Sequence, residues 1–365
     1  MGKSTTNDMT VGSPVKLIIQ FMIPMCLGNI FQQFYNIADS IIAGQFIGVN
    51  ALAAIGSTGS LMFFVTGWLN GLTSGFAILV SQLFGAKKYD EMRHYVAMSI
   101  YLTAAFTIAM TVGFEIANAP ILRMMNTPDE VIGDVIKYMA IIYAGLIVTA
   151  AYNALSSFLR ALGDSKSPLY FLIISALLNI VLDIVFIVCF GMGVEGCAYA
   201  TVIAQGISAL LCLVYIKKKM PLLHLEKKNF TVSVNSFKRL LALGIPMGLQ
   251  FSITAIGTII VQGAVNVYGA VHMAGFSAAG KLQNIVTTIF VAFGATAATF
   301  VGQNRGAGKM DRVKAGVKST QLMILGWSVI SMILVFFFGK YLTCIFVDPS
   351  ETEVLEVSVT YFRTV

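Results

Sequence analysis

One stretch of this strongly apolar chain occurs twice. Residues 80–93 read VSQLFGAKKYDEMR and residues 301–314 read VGQNRGAGKMDRVK, so the two share Val, Gln, Gly, Ala, Lys and Asp at matching positions. Upstream of each copy, the tripeptide Ile-Pro-Met occupies residues 23–25 and again residues 245–247. Two related halves in an apolar chain are typical of membrane transporters in which two bundles surround a central path.

The composition places the chain in a membrane. Hydrophobic residues make up 57% of it, charged residues 11%, and the mean hydropathy is +0.82, whereas a soluble protein carries about 25% charged residues. The net charge of +7 is then explained by basic loops on one membrane face, so we expect a lipid bilayer and not a nucleic acid as its surroundings. No nucleophile–base pattern or metal motif occurs and the five cysteines have no CxxC spacing, so we predict neither an enzyme nor a cofactor.

A membrane-spanning helix needs about 20 apolar residues, and the apolar runs predict ten spans in an all-α polytopic protein. The predicted spans cover residues 15–45, 52–84, 94–117, 132–160, 168–190, 195–217, 237–268, 272–303, 315–345 and 353–365. Pro24 and Pro246 fall inside the first and seventh spans, where each is expected to bend or loosen the helix.

The basic residues predict the orientation. Most of the 24 Lys and Arg residues fall in the N-terminal segment and in every second loop, while the opposite loops carry mainly acidic residues such as Asp129, Glu130 and Glu195. Because cytoplasmic loops are enriched in Lys and Arg, we expect a cytoplasmic N-terminus in a multi-pass protein of the cytoplasmic (inner) membrane.

The span count predicts the organisation of the two halves. Residues 1–216 form a lobe of six spans, residues 217–236 a charged cytoplasmic linker, and residues 237–365 a second lobe with spans seven to nine and the start of the tenth. An even number of spans before the linker makes the two repeats parallel. By comparison with the first repeat, the second is expected to be incomplete, as in a truncated chain or a fragment.

Ionisable residues inside membrane spans are functional candidates, because they are costly to place in lipid. Asp39 lies in the first predicted span, with Asn36 and Gln32 on the same helical face, and Asp183 lies in the fifth, four residues after Asn179. The alternative is that each aspartate hydrogen-bonds a helix end or faces water. Two acidic faces that both carry amides favour a shared interior site instead.

Two carboxylates with amide and hydroxyl oxygens suit either of two tasks. They can hold a dehydrated hard cation such as Na⁺, for which Asp39, Asn179 and Asp183 are the candidate ligands, or they can hold a proton. Tyr138 and Thr201 could supply further oxygens. Asp39 aligns with the apolar Ile260 or Val261 in the second half, so the first half is expected to carry the coupling site.

A substrate cavity is predicted from further polar residues within the spans. Its candidate residues are Gln32, Asn36, Asn153, Gln250 and Lys281. For Lys281 the alternative is a position near the outer interface, if its span starts later than predicted.

The stretches ADSIIAGQFIGVNALAAIG (38–56), ALSSFLRALGDSKSPLY (154–170) and LLNIVLDIVFI (177–187), together with the loop at 80–93, resemble the multidrug and toxic compound extrusion (MATE) family. The likeness is greatest to its prokaryotic branch of DNA-damage-inducible-type exporters. The resemblance implies twelve helices in two lobes and export of organic cations driven by entry of Na⁺ or H⁺. It also implies a cation site in the first lobe at positions matching Asp39, Tyr138, Asn179, Asp183 and Thr201.

The leading hypothesis is therefore a cation-coupled antiporter that exports organic cations by alternating access. One alternative is a flippase of lipid-linked sugars from the same superfamily, which is disfavoured because no Arg lies clearly at mid-membrane. The other is a non-transporting scaffold or receptor, which would gain nothing from two intramembrane aspartates. Some family members carry an acidic residue where this chain has Gln250, so a second cation site in the second half is not expected.

Overall fold

The structure is a computed structural model that describes residues 7–48, 51, 54–56, 58–125, 127–344 and 347–364. Eleven long α-helices dominate these residues, and no strand occurs among them, so the predicted all-α fold is confirmed. The helices are α1 (Pro14–Phe46), α2 (Gly59–Gly85), α3 (Tyr89–Met124), α4 (Asp129–Ala144), α5 (Leu146–Ala161), α6 (Lys166–Ile184), α7 (Val194–Lys219), α8 (Val234–Asn266), α9 (Ala270–Gly306), α10 (Met310–Thr343) and α11 (Thr352–Thr364).

Within the described residues, eight helices are long and apolar enough to cross a membrane, or nine if α4 and α5 together form one span. Nine of the ten predicted spans overlap these helices in order, and the tenth, 353–365, falls on α11, which has 13 residues and is not among them. The second predicted span, 52–84, begins partly outside the described residues, and α2 itself starts at Gly59. The third predicted span, 94–117, lies within α3, which extends beyond it at both ends, from Tyr89 to Met124.

The fourth predicted span, 132–160, is not one straight helix. It is divided at Gly145 into α4 and α5, which are bent by 47° relative to each other. Gly145 lies against the side chain of Val202 in α7, where a Cβ would overlap the valine methyl groups. The bend therefore coincides with a close approach to α7 that the apolar pattern alone does not predict.

The two halves meet through α1 and α2 on one side and α8 and α9 on the other. Gly71 of α2 lies against the backbone of Met247, and Gly75 lies against the backbone of Gly244, so α2 and α8 approach without intervening side chains. Pro24 and Pro246 both lie inside continuous helices. A bend at either proline stays a prediction.

Large apolar side chains on the outer helix faces are exposed, as expected for a protein surrounded by lipid. In α10, for example, Leu325 and Phe337 are 61% and 66% exposed. The first half has two internal apolar clusters, one around Phe76, Met92 and Phe158 and one around Val65 and Tyr143. The second of these clusters includes Tyr138, which places a polar hydroxyl in the interior of the first half.

Candidate cation site

The two intramembrane aspartates meet inside the first half of the protein. Asp39 comes from α1 and is 6% exposed, and Asp183 comes from the last turn of α6 and is fully buried. Three atoms lie within 4.8 Å of one another: one carboxylate oxygen of Asp39, one of Asp183, and the Sγ of Cys197 from α7. The predicted convergence of the two acidic helix faces is thus what the structure has.

The polar atoms of this site lack protein partners. Within the described part of the chain, both carboxylate oxygens of Asp183, the Oδ1 of Asp39 and both amide atoms of Asn179 are buried without a hydrogen-bond partner. Leaving a buried polar atom unsatisfied costs about 1–3 kcal/mol. A proton or a hard cation between the carboxylates would offset that cost, so the residues present fit the predicted ion.

Asn179 and Asp183 share one face of α6, as the spacing of four residues predicts, and Asn179 is also fully buried. Directly after Asp183 the helix changes to one π-helical turn, Val185–Cys189. Such turns are rare, and they are often found at functional sites. No residue pattern in this segment predicts the π-helical turn.

Tyr138 and Thr201 complete the set of predicted cation-binding residues. Tyr138 of α4 is buried at 5% exposure and belongs to the same interior cluster as Cys197. Thr201 of α7 forms a hydrogen bond of 2.9 Å between its Oγ1 and the hydroxyl of Tyr35 in α1. Four helices, α1, α4, α6 and α7, therefore contribute to this region of the described structure.

Sequence reasoning missed two residues at the site, Tyr35 and Cys197. The signal for both was available, since Tyr35 stands four residues before Asp39 and Cys197 four residues before Thr201. Residues at this spacing share a helical face. Cys197 is fully buried, and its sulfur lies close to both carboxylates.

The residues predicted to line a substrate cavity are dispersed. Gln32 lines a small cleft together with Tyr35, Ser175 and Gln205. Asn36 is exposed on α1 and Asn153 is half-buried on α5. Their part in a substrate cavity stays a prediction.

On the second half, Gln250 is exposed on α8 and Lys281 is exposed on α9. The backbone carbonyl of Gln250 accepts a hydrogen bond from the Thr254 hydroxyl. Neither residue lies in the cleft lined by Gln32, and their predicted role is likewise untested.

The family profile MatE matches this chain twice, over residues 24–185 and 246–365. The chain belongs to the MATE family. The two matches begin at Pro24 and Pro246, the same positions that the repeated Ile-Pro-Met motif relates. The MATE family is a family of membrane transporters, not of enzymes, and its profile matches each half of this chain.

Curated relatives of this chain support a role in transport. The chain is 30% identical over 350 residues to the probable multidrug resistance protein YpnP of Bacillus subtilis, an alignment that covers 94% of this chain and 77% of the relative. It is 22% identical to the FAD transporter of Shewanella oneidensis, over 93% of this chain and 76% of that protein. The protein is accordingly a multi-pass membrane transporter of small molecules.

Solved structures show the same fold. The chain superimposes with a TM-score of 0.90 on an outward-facing multidrug resistance MATE transporter, at 21% identity, covering all of this chain and 80% of the other. A transporter of the MOP superfamily from Pyrococcus furiosus, described as having a binding pocket of reversed polarity, gives a TM-score of 0.91 at 21% identity, with the same coverage.

Proposed function

We propose that this protein is an antiporter that exports organic cations across the cytoplasmic membrane and is driven by the entry of Na⁺ or H⁺. The main support is the buried pair Asp39–Asp183, in which both carboxylate oxygens of Asp183 and the Oδ1 of Asp39 have no hydrogen-bond partner among the described residues. Two adjacent carboxylates inside a membrane do not both stay charged without a counter-ion. A site of this kind changes its net charge when the coupling ion arrives or leaves.

Coupling follows from competition for that charge. A cationic substrate in or beside the first lobe gains from the negative charge of Asp39 and Asp183, and so does the coupling cation. Each therefore weakens the binding of the other, and the effect is reciprocal. Entry of the coupling ion from outside, where it is more abundant, would expel the substrate in the outward direction.

The first half is proposed to carry the coupling ion alone. The positions in α8 that correspond to Asp39 are Ile260 and Val261, which are 67% and 49% exposed and apolar. We further propose lobes at residues 1–216 and 237–365, a cytoplasmic linker at 217–236, and a cytoplasmic N-terminus. The basic loops support this orientation through the positive-inside rule.

The charge of the site favours organic cations as substrates. The names of YpnP and of several other relatives refer to multidrug resistance, and many such compounds are cationic at neutral pH. An anionic substrate such as FAD, the cargo named for the Shewanella relative, would be repelled by an ionised carboxylate pair. The pair therefore supports the cationic class over the anionic one.

Binding of a fluorescent organic cation to the purified protein tests the proposal. Its affinity is measured against Na⁺ concentration at fixed pH and against pH without Na⁺. We expect the affinity to fall as one of these two cations rises, and Asp39→Asn to flatten that dependence. Asp348→Asn, in an exposed loop between α10 and α11, is the control and should behave as wild type. A dye affinity that changes with neither Na⁺ concentration nor pH would contradict the proposed coupling.

A further inference from the structure

A small cleft with both polar and apolar side chains lies beside Tyr35, close to the cation site. It is lined by Gln32 and Tyr35 of α1, by Leu172, Ser175 and Ala176 of α6, and by Ala204 and Gln205 of α7. α6 packs against both α1 and α7 and so forms the floor of the cleft. The Oε1 of Gln205 is buried and has no hydrogen-bond partner among the described residues.

The cleft lies on one defined side of the cation site. Ser175 is one helical turn before Asn179 in α6, and Gln205 is one turn after Thr201 in α7, each an offset of about 6 Å along its helix. Gln32 precedes Asp39 by two turns in α1. Because α7 runs antiparallel to α1 and α6, all three offsets point to the same end of the bundle.

That end is the cytoplasmic one in the proposed orientation. Tyr215, near the end of α7, donates a hydrogen bond of 3.0 Å to Asp164, directly before α6. Lys166 begins α6 and Lys217 lies in the last turn of α7, so this end of the two helices carries the basic residues. The cleft thus lies between the carboxylate pair and the cytosolic ends of the helices.

One hydrogen bond links the cleft to the cation site, because Tyr35 lines the cleft and Thr201 is a predicted cation-binding residue. The hydrogen bond between Tyr35 and Thr201 joins α1 to α7 across α6, and these helices otherwise touch little along their length. Ser175, which lines the cleft, donates its hydroxyl to the carbonyl of Ala204 at 2.7 Å, so its oxygen remains free to accept a hydrogen bond. Amide and hydroxyl oxygens of this kind replace the hydration shell of a monovalent cation or hold the water that relays a proton.

We propose that this cleft is the route by which the coupling cation leaves the Asp39–Asp183 pair for the cytosol, and that the Tyr35–Thr201 hydrogen bond is its gate. The route rests on the proposed antiport function. It runs within the first half of the protein, so the ion reaches the cytosol without entering the space between the two halves. The substrate and the coupling ion then leave the Asp39–Asp183 pair by different paths.

Accessibility to a thiol reagent tests the route directly. In a background with the five native cysteines replaced by Ala, Gln205→Cys is exposed from the cytosolic face to a charged, membrane-impermeant thiol reagent. We expect modification, and faster modification when Tyr35→Phe removes the gating hydrogen bond. Leu177→Cys on the 62% exposed outer face of α6 is the control, and it should stay unmodified because a charged reagent does not enter lipid. An unreactive Gln205→Cys, or one that reacts only from outside, would overturn the route.

Transport by the reconstituted protein gives the second test. Gln205→Leu should slow cation-driven dye efflux about tenfold, the effect of losing one hydrogen bond to a passing ion, and leave the competition between dye and cation unchanged. Gln321→Leu, at an exposed position of α10, should transport as wild type. Efflux by Gln205→Leu at the wild-type rate, or loss of the competition, contradicts the route. If the wild-type protein shows no cation-dependent dye efflux, the proposed antiport function is wrong, whatever the result of the thiol labelling.

Discussion

The backbone of Gly85, at the end of α2, packs directly against the carbonyl oxygen of Gln303 in α9. The reciprocal contact also exists, since Gly306 packs against the carbonyl oxygen of Gln82. These are the residues that the repeated motif relates, Gln82 to Gln303 and Gly85 to Gly306. The two copies of the motif therefore pack on each other, and they close the described structure at the end where the basic loops lie.

The first prediction concerns this contact. Gly85→Ala would place a Cβ on the backbone of Gln303, where no side chain can move aside, and should destabilise the closed arrangement by about 1–3 kcal/mol. Gly306→Ala should do the same against Gln82. The thermal midpoint of the purified protein measures the effect. Gly326→Ala in α10, where a Cβ would meet nothing within 4 Å, is the matched control. Equal midpoints for Gly85→Ala and Gly326→Ala would contradict the packing.

The second prediction concerns the coupling site. Asp39→Asn keeps the size of the side chain but removes its charge, so it should abolish cation-coupled dye efflux and leave expression near the wild-type level. The same change at Asp183 should have a similar effect, because the two carboxylates share one site. Efflux from cells that express each variant, normalised to protein in the membrane, is the measurement. Unchanged efflux in Asp39→Asn would remove that residue from the mechanism.

The third prediction concerns the N-terminal segment before α1. Arg312 donates hydrogen bonds to the carbonyl of Met9 at 3.0 Å, to the carbonyl of Gly12 at 2.8 Å and to the side chain of Asn304 at 2.9 Å. Met9 itself is 1% exposed and packs on Phe300 of α9. This arginine ties the segment that enters α1 to the second half.

Arg312→Ala should therefore release the segment, at a local cost of about 1–3 kcal/mol, and raise its rate of cleavage by a protease added at the cytoplasmic face. Arg312→Lys should lie between the two, because a lysine cannot reproduce the planar set of donors. Lys318→Ala, a change at an exposed residue of the same helix, should cleave at the wild-type rate. A segment that resists the protease equally in all variants would show that these bonds do not hold it.

The fourth prediction concerns the bend between α4 and α5. Gly145→Ala should destabilise the protein, because the new methyl group would overlap Val202. The double variant Gly145→Ala with Val202→Ala should recover much of the loss, since the second change removes the overlapping atoms. Thermal midpoints of the two single variants and the double variant give the coupling between the sites. Additive effects would mean that the two residues do not meet.

Much of the architecture could be predicted from the sequence, because a bilayer restricts a spanning chain to a few solutions. Apolar runs of sufficient length predicted the helices and their order, and the repeated motif predicted the two related halves. Asp39, Asp183 and Asn179 were found because charged or amide residues are rare in such runs. The helical period then predicted that Asn179 and Asp183 share one face.

Only the tertiary structure decided which helices meet. The periodicity of one helix says nothing about the rotation of its neighbour, so Asn36 on the predicted face of α1 is exposed while Tyr35 contacts Thr201. The position of Cys197 beside the carboxylates, the π-helical turn after Asp183, and the bend at Gly145 likewise depend on packing between segments far apart in the chain. The sequence by itself determined a duplicated helical membrane protein with two rare acidic residues. The reason is that backbone groups in lipid must be hydrogen-bonded within the protein, and that charged side chains are costly there. The packing of α1, α4, α6 and α7 decided that these residues form one site.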